Sequence, residues 1–167
     1  MKSLLVKPLT AAAFIEFGDV IEMDQRASQP MNQGMADRYP SLAKIETYGN
    51  KAKAVISLVH SRRYNLPHTI DLVERHPLGS QSFIPLDDTP FIVIVAPMGD
   101  EVNISQLCAF KTNGSQGINY RAGIWHAPLF TPFDDMNFVC VDRDGEGNNC
   151  EEWNISKEDC PIVSYLN

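Results

Sequence analysis

No stretch of this chain approaches the roughly 20 consecutive apolar residues of a membrane-spanning helix. Its first residues hold only the short run Leu4-Leu5-Val6 before Lys7 and Pro8 interrupt it. A secretory leader needs a longer apolar segment, so the sequence reads as a cytoplasmic protein. Basic clusters are missing too: the longest is Arg62-Arg63, in a chain of net charge −7. Binding a polynucleotide takes a basic face that displaces counterions, which argues against nucleic-acid partners. A small anion remains admissible, because one arginine in a pocket holds a carboxylate bidentately whatever the net charge. Cys108, Cys140, Cys150 and Cys160 include no CxxC pair, which removes zinc ribbons and dithiol redox sites. They read as reduced thiols, with Cys108 and Cys140 as small core residues on strand-like runs.

What is present fits one globular domain over residues 1–167. The apolar fraction is 44% and the charged fraction 21%, near globular averages and enough for a sizeable core. Thr10 followed by Ala11 to Phe17 reads as a short helix, with Thr10 as N-cap, Gly18 as a left-handed C-cap, and Phe14 and Phe17 on one side. The polar stretch from Asp24 to Tyr39, with Pro30 and Gly34, reads as a loop. Beyond it lie short strand-like runs: Ala54 to Val59, Thr69 to Glu74, Gln81 to Leu86, Phe91 to Ala96, Gln106 to Lys111, Gly117 to Tyr120 and Phe138 to Val141. Turn signals such as Pro77-Leu78-Gly79, Asp87-Asp88 and Asn113-Gly114 separate them. Many short strands at this spacing, with no long helical pattern between them, predict an all-β sandwich or barrel. Phe91 to Ala96 is apolar throughout, as a strand buried on both faces should be. The tail from Glu151 to Asn167 has no clear pattern.

Two segments concentrate the chemistry. In Glu74-Arg75-His76-Pro77-Leu78-Gly79-Ser80-Gln81, strand alternation puts Glu74 and His76 on one face and Arg75 on the other, and Gln81 lies across the turn. In Gly117-Ile118-Asn119-Tyr120-Arg121-Ala122-Gly123-Ile124-Trp125-His126, the last histidine follows a glycine turn. These spacings resemble the two motifs of the cupin superfamily, small double-stranded β-helix barrels of jelly-roll type. The first frame, His-x-His-x4-Glu, holds Glu74, His76 and Gln81 here; the second, Pro-x-Gly-x-x-His, holds Arg121, Gly123 and His126. Two of the usual metal-ligand types are therefore altered. Glu74 to Leu86, Ala109 to Gly114, Gly117 to Tyr120, Trp125 to Leu129 and Val141-Asp142-Arg143 together resemble the ureidoglycolate lyase family, a likeness that also takes in Phe17 to Ile21 and so nearly the whole chain. The resemblance implies a cytosolic homodimer that releases urea and glyoxylate from ureidoglycolate late in allantoin breakdown, with nickel as cofactor.

Ureidoglycolate carries a hydroxyl, a carboxylate and the urea nitrogen on one carbon. Eliminating urea needs a base for the hydroxyl proton, an acid or hydrogen bond for the departing nitrogen, and a cation for the carboxylate. Imidazoles titrate near neutrality, so His76 and His126 are the leading acid and base, in either assignment, and Glu74 can orient an imidazole or act as base itself. Arg75 is a carboxylate clamp only if it points inward; Arg62 and Arg143 are the alternatives. Gln81 and Asn119 offer donors and acceptors to a urea group, and Tyr120 can donate to an oxyanion. A metal would be held by His76, Gln81 and His126, with Glu74 as a further ligand. His60 and His68 fall in neither frame and read as structural; Trp125 reads as pocket wall or core. Two rival functions stand beside the lyase: an amidohydrolase that frees ammonia from the same substrate, and a non-catalytic cupin that binds a small acid.

Overall fold

A computed structural model of the chain describes residues 3–24 and 28–164; parts of the Asp24 to Tyr39 loop and of the tail lie outside them. In chain order the strands are β1 (Val6–Pro8), β2 (Gly18–Ile21), β3 (Gln29–Met31), β4 (Ala36–Arg38), β5 (Lys53–Ser61), β6 (His68–Thr69), β7 (Leu72–Arg75) and β8 (Gln81–Pro85). They continue with β9 (Ile92–Ala96), β10 (Cys108–Lys111), β11 (Gly117–Tyr120), β12 (Trp125–His126), β13 (Met136–Asp144), β14 (Glu151–Asn154) and β15 (Ile162–Val163). One short helix, α1 (Ala11–Phe14), precedes β2. The protein is therefore mainly β, as the sequence predicts, and its two large sheets give it a cupin-like architecture. A six-stranded sheet runs β1-β10-β9-β12-β7-β14 and a five-stranded sheet runs β2-β11-β8-β13-β5.

The apolar side chains form two clusters, one on each face of the six-stranded sheet. Phe14, Phe17, Phe83, Val93, Val95, Phe110, Ile118, Tyr120 and Phe138 belong to one cluster, between the sheets. Ile92, Ile94 and Ala96 belong to the other, with Val73, Trp125 and Phe130. Successive residues of β9 thus enter different cores, which explains why its sequence is apolar without alternation. Thr10 caps α1, its side chain accepting from the Ala13 N–H at 3.2 Å, and Phe14 and Phe17 both enter the core between the sheets.

Several local expectations need correction. Gly18 is not a left-handed cap; it opens β2. A Cβ there would lie 1.8 Å from the Asn119 carbonyl oxygen, so the glycine permits two backbones to touch. Gly18→Ala should force β2 off β11 and cost about 3 kcal/mol, at the upper end of ordinary overpacking; chemical denaturation of the purified variant measures it. The expected loop contains the exposed hairpin β3–β4, whose connection places Asn32, Gln33 and Gly34 at positive φ, conformations that amide side chains and glycine tolerate. The single expected strand from Thr69 to Glu74 breaks in two because the C-terminal segment takes its backbone bonds: Ile70 N–H donates to the Pro161 carbonyl and Ile155 N–H to the Asp71 carbonyl. The strand expected from Gln106 starts at Cys108, after a 3-10 turn at Ile104–Gln106 capped by Asn103. The patternless tail contains β14, which edges the six-stranded sheet against β7.

Candidate active site

Two residues of β12 do the central positioning. Trp125 and His126 lie between β9 and β7, with His126 opposite Val95 on one side and Glu74 on the other. The chain arrives there through Gly123, whose φ of +82° is a backbone conformation that favours glycine. Its N–H donates to the His76 carbonyl at 2.9 Å, tying the turn to the end of β7. Alternation then sorts the side chains. Trp125 joins the outer cluster and His126 faces the space between the sheets, stacked on Tyr120 with ring centres 4.2 Å apart and planes within 12°. Glu74, opposite His126, faces the same way, as does His76, whose ring lies 5.2 Å from that of His126. Gln81 sits opposite Tyr120 across β8 and β11 and shares its face.

Both histidine tautomers follow from their partners. His76 Nδ1 lies 2.7 Å from the Asn149 carbonyl oxygen and His126 Nδ1 lies 3.0 Å from that of Ile124. A carbonyl can only accept, so each Nδ1 carries the proton, and in the neutral form of either ring the inward Nε2 is a bare lone pair. Those two Nε2 atoms and Gln81 Oε1 are buried without a hydrogen-bond partner among the described residues. Glu74 Oε1 stands 3.6 Å from His126 Nε2 and 3.9 Å from His76 Nε2, wider than hydrogen bonds. Burial pulls the His126 imidazole below its ordinary pKa against the opposing pull of Glu74, favouring the neutral ring. Interaction with His126 foremost, and with His76, lowers the Glu74 carboxyl from its ordinary pKa against the opposing effect of burial. With both rings in the neutral form the arrangement is two imidazole lone pairs, a carboxylate and the Gln81 amide oxygen. Unpaired buried acceptors are costly, and one cation placed between Glu74, His76 and His126 relieves both imidazoles. Glu74, His76 and His126 present ligand atoms within 4.8 Å of one another, and imidazole nitrogen with carboxylate oxygen suits a first-row divalent metal. The residues present fit such an ion.

Glu74 and His76 retain 24% and 15% of their side-chain surface while His126 retains 2%, so the cluster is approached from the Glu74 and His76 side. The remaining sequence candidates divide. Tyr120 lies against His126 as a buried ring, and burial, with the charge of Glu74, raises its phenol pKa, keeping it a protonated donor. Asn119, one residue away, is buried on the opposite face of its sheet: its amide oxygen accepts from Ser82 Oγ at 2.7 Å and its amide nitrogen donates to Asp19 Oδ2 and the Lys44 carbonyl. Those bonds occupy it within the fold. Arg75 faces away from Glu74, as alternation predicts: Nε donates to Glu151 Oε2 at 2.7 Å and the guanidinium lies 4.6 Å from the centre of the Trp125 ring. Arg143 is buried, with Nε donating to the Tyr48 carbonyl and Nη2 to that of Glu146. Arg62 is exposed, in a hollow with Pro128 and Leu129. A larger hollow of about 660 Å³ runs along β1 beside Lys7 and Lys111 and contains none of these groups.

Sequence reasoning missed the residues just before and at the start of the tail that lie beside this cluster. Asn149 anchors His76 through its carbonyl, and its side-chain oxygen accepts from the Leu78 N–H at 2.8 Å. Cys150 Sγ lies 3.9 Å from Glu74 Oε2, and Glu152 pairs in register with Glu74. No motif marks them; only the pairing of β14 with β7 brings them in.

Residues 1–161 match the family model described as ureidoglycolate lyase. A Pseudomonas putida protein named ureidoglycolate lyase is 43% identical over 164 residues, covering 98% of both chains. One of that name from Pseudomonas fluorescens is 46% identical over 163 residues, covering 98% of this chain and 97% of the other. A third, from Pseudomonas syringae pv. syringae, is 45% identical over 152 residues, 91% of this chain and 89% of its own. Near-complete coverage at this identity, joined to the all-β architecture and the buried histidine cluster, means that the chain belongs to the ureidoglycolate lyase family.

Proposed function

We propose that this protein is a ureidoglycolate lyase whose reaction takes place at Glu74, His76, Gln81 and His126. Family membership over nearly the whole chain carries the choice of reaction; the convergence of unpaired acceptors carries the choice of site. In the elimination the hydroxyl O–H gives up its proton, the carbon–oxygen double bond forms, the carbon–nitrogen bond breaks, and the urea nitrogen takes up a proton. No net proton is consumed, so one group standing between the two atoms can serve both. Glu74 suits that role: it is ionised, it lies on the open side of the cluster, and both imidazoles lie within 4 Å. It accepts the hydroxyl proton and returns it to the departing nitrogen.

His76, His126 and Gln81 would hold a divalent ion, nickel by family resemblance, with Glu74 alongside. When bound, that ion supplies Lewis acidity and the positive charge that the substrate carboxylate requires. The three arginines named from sequence are turned to other partners or to solvent, which leaves this cluster as the favoured seat for the carboxylate. The Asn149 and Ile124 carbonyls keep both imidazoles in the one tautomer that presents Nε2. The buried Tyr120 ring supports His126 from behind. The catalytic unit is read as a single domain over 1–167 that works in the cytoplasm as a homodimer.

A product assay tests the reaction. Purified protein given ureidoglycolate should release urea and glyoxylate in equal amounts. Ammonia in place of urea would assign the amidohydrolase chemistry instead, and saturable binding without turnover would leave only a ligand-binding cupin.

A further inference from the structure

β5 is the outer strand of the five-stranded sheet and pairs with β13 over nine unbroken residue pairs, Lys53 with Asp144 through Ser61 with Met136. At about 3.3 Å per residue it exposes an edge roughly 30 Å long. Exposed edges are ordinarily blunted by proline, charge or brevity. The other edges of the two large sheets show these devices: β1 contains Lys7 and Pro8, β14 contains Glu151 and Glu152, and β2 has four residues including Asp19. From Ala54 to Val59, β5 has none.

Its outward side chains are also apolar. Phe138 is buried in the core between the sheets and its register partner Val59 packs against that core. Alternation therefore turns Ile56 and Leu58 to the outside, where they keep 75% and 76% of their surface. Beside them on β13 stand their partners Val141 and Val139, which are half-buried. The sequence along the edge, Val55-Ile56-Ser57-Leu58-Val59, reads nearly the same in both directions about Ser57.

We propose that two copies of this chain join β5 to β5, antiparallel, about a two-fold axis through Ser57. The joint deepens the homodimer reading above, on which it rests, by naming its surface. In this register Ile56 of one subunit faces Leu58 of the other, and Val55 faces Val59. Shifting the register by one residue would set outward side chains against inward ones, so only an axis on a residue preserves both faces, and Ser57 is the residue that matches like with like. Such a contact is isologous, as closed dimers require. Charge permits it. Although each chain carries −7, the central stretch is uncharged. Where the strand ends meet, Lys53 and Lys51 of one copy come beside Ser61 to Arg63 of the other; the lysines are already paired, with Asp144 and Glu146, and Asp135 stands beside Arg63. The two five-stranded sheets then form one continuous sheet, and the Ile56 and Leu58 side chains close over the axis.

The test uses light scattering of the full chain with two variants at exposed or edge positions outside the catalytic cluster. Wild type should be dimeric at micromolar concentration. Leu58→Asp should weaken the dimer at least 100-fold while its melting profile shows a folded monomer. Ser57→Cys, treated with a short bis-maleimide, should give a cross-linked dimer that equally treated wild type, with its exposed Cys150, does not. A monomeric wild type would overturn both the joint and the homodimer reading. A dimer that survives Leu58→Asp, or a Ser57→Cys variant that fails to cross-link, would overturn this joint and leave a dimer through another surface. Urea release separates the catalytic reading from either result.

Discussion

Replacing His126 with alanine should lower urea release by at least about a thousandfold, within the range that a single positioned proton-transfer or ligand group supplies, and should leave a folded protein. The size of the loss follows from where the ring stands. His126 is the deepest member of the cluster, and no neighbouring side chain can swing an imidazole into its place, because His76 is tied by its own Nδ1 to the Asn149 carbonyl. The retention of structure follows from opposing terms. Removing the ring loses its stack on Tyr120 and leaves a cavity, which together cost on the order of 2–3 kcal/mol. The same change removes an unpaired buried acceptor from beside the Glu74 carboxylate, which offsets part of that cost. A domain with about 5–15 kcal/mol of stability survives the difference. The measurement is urea and glyoxylate release beside near-ultraviolet circular dichroism. Turnover within about tenfold of wild type would remove His126 from the chemistry and with it the assignment of the site.

Metal should be visible as stability even in the absence of substrate. Protein stripped with a chelator and then given nickel at about a hundred times its dissociation constant gains about 2.7 kcal/mol from linkage, which for a chain of this size raises the melting temperature by roughly 5–10 °C. His76→Ala and His126→Ala should each erase most of that shift, and chelation should erase wild-type turnover. The readout does not depend on the reaction, so it judges the ligand set by itself. A stripped wild-type protein that melts at the same temperature with and without nickel, and keeps full turnover, would make the cluster an acid–base site without metal.

The fold class was legible because most strands announce themselves individually. Glycine, proline and aspartate punctuate runs of Val, Ile and Phe, and the apolar β9 correctly indicates burial on both faces. The parts that were not legible depend on partners distant in sequence. Asp71 and Ile70 are held by the C-terminal segment, and nothing in the local pattern shows that a strand should break there. The role of Gly18 depends on the approach of Asn119, a hundred positions later. The site followed the same division. Glu74, His76, Gln81 and His126 lie in two short frames, so sequence spacing was enough to place them on one face. Asn119 was a candidate because its chemistry suits urea, whereas the β11 alternation that turns Tyr120 to the space between the sheets turns Asn119 to the opposite face, to Ser82 and Asp19. Asn149, Cys150 and Glu152 were invisible because β14 has no alternating apolar pattern of its own.

The alternation along β7 has a consequence for which changes this chain can tolerate. Glu74 belongs to the histidine cluster and Arg75 to the Trp125 ring on the other side of the sheet, so the sign of charge presented beside the two imidazoles is decided by the parity of one short strand. A single-residue insertion or deletion between Ile70 and Val73, harmless in a surface loop, would exchange the two. A guanidinium would then face the imidazole lone pairs and a carboxylate would be stranded against an indole. Lineages descended from this chain should therefore accumulate substitutions around β7 far more readily than changes of length, and any insertion that survives there should come in twos.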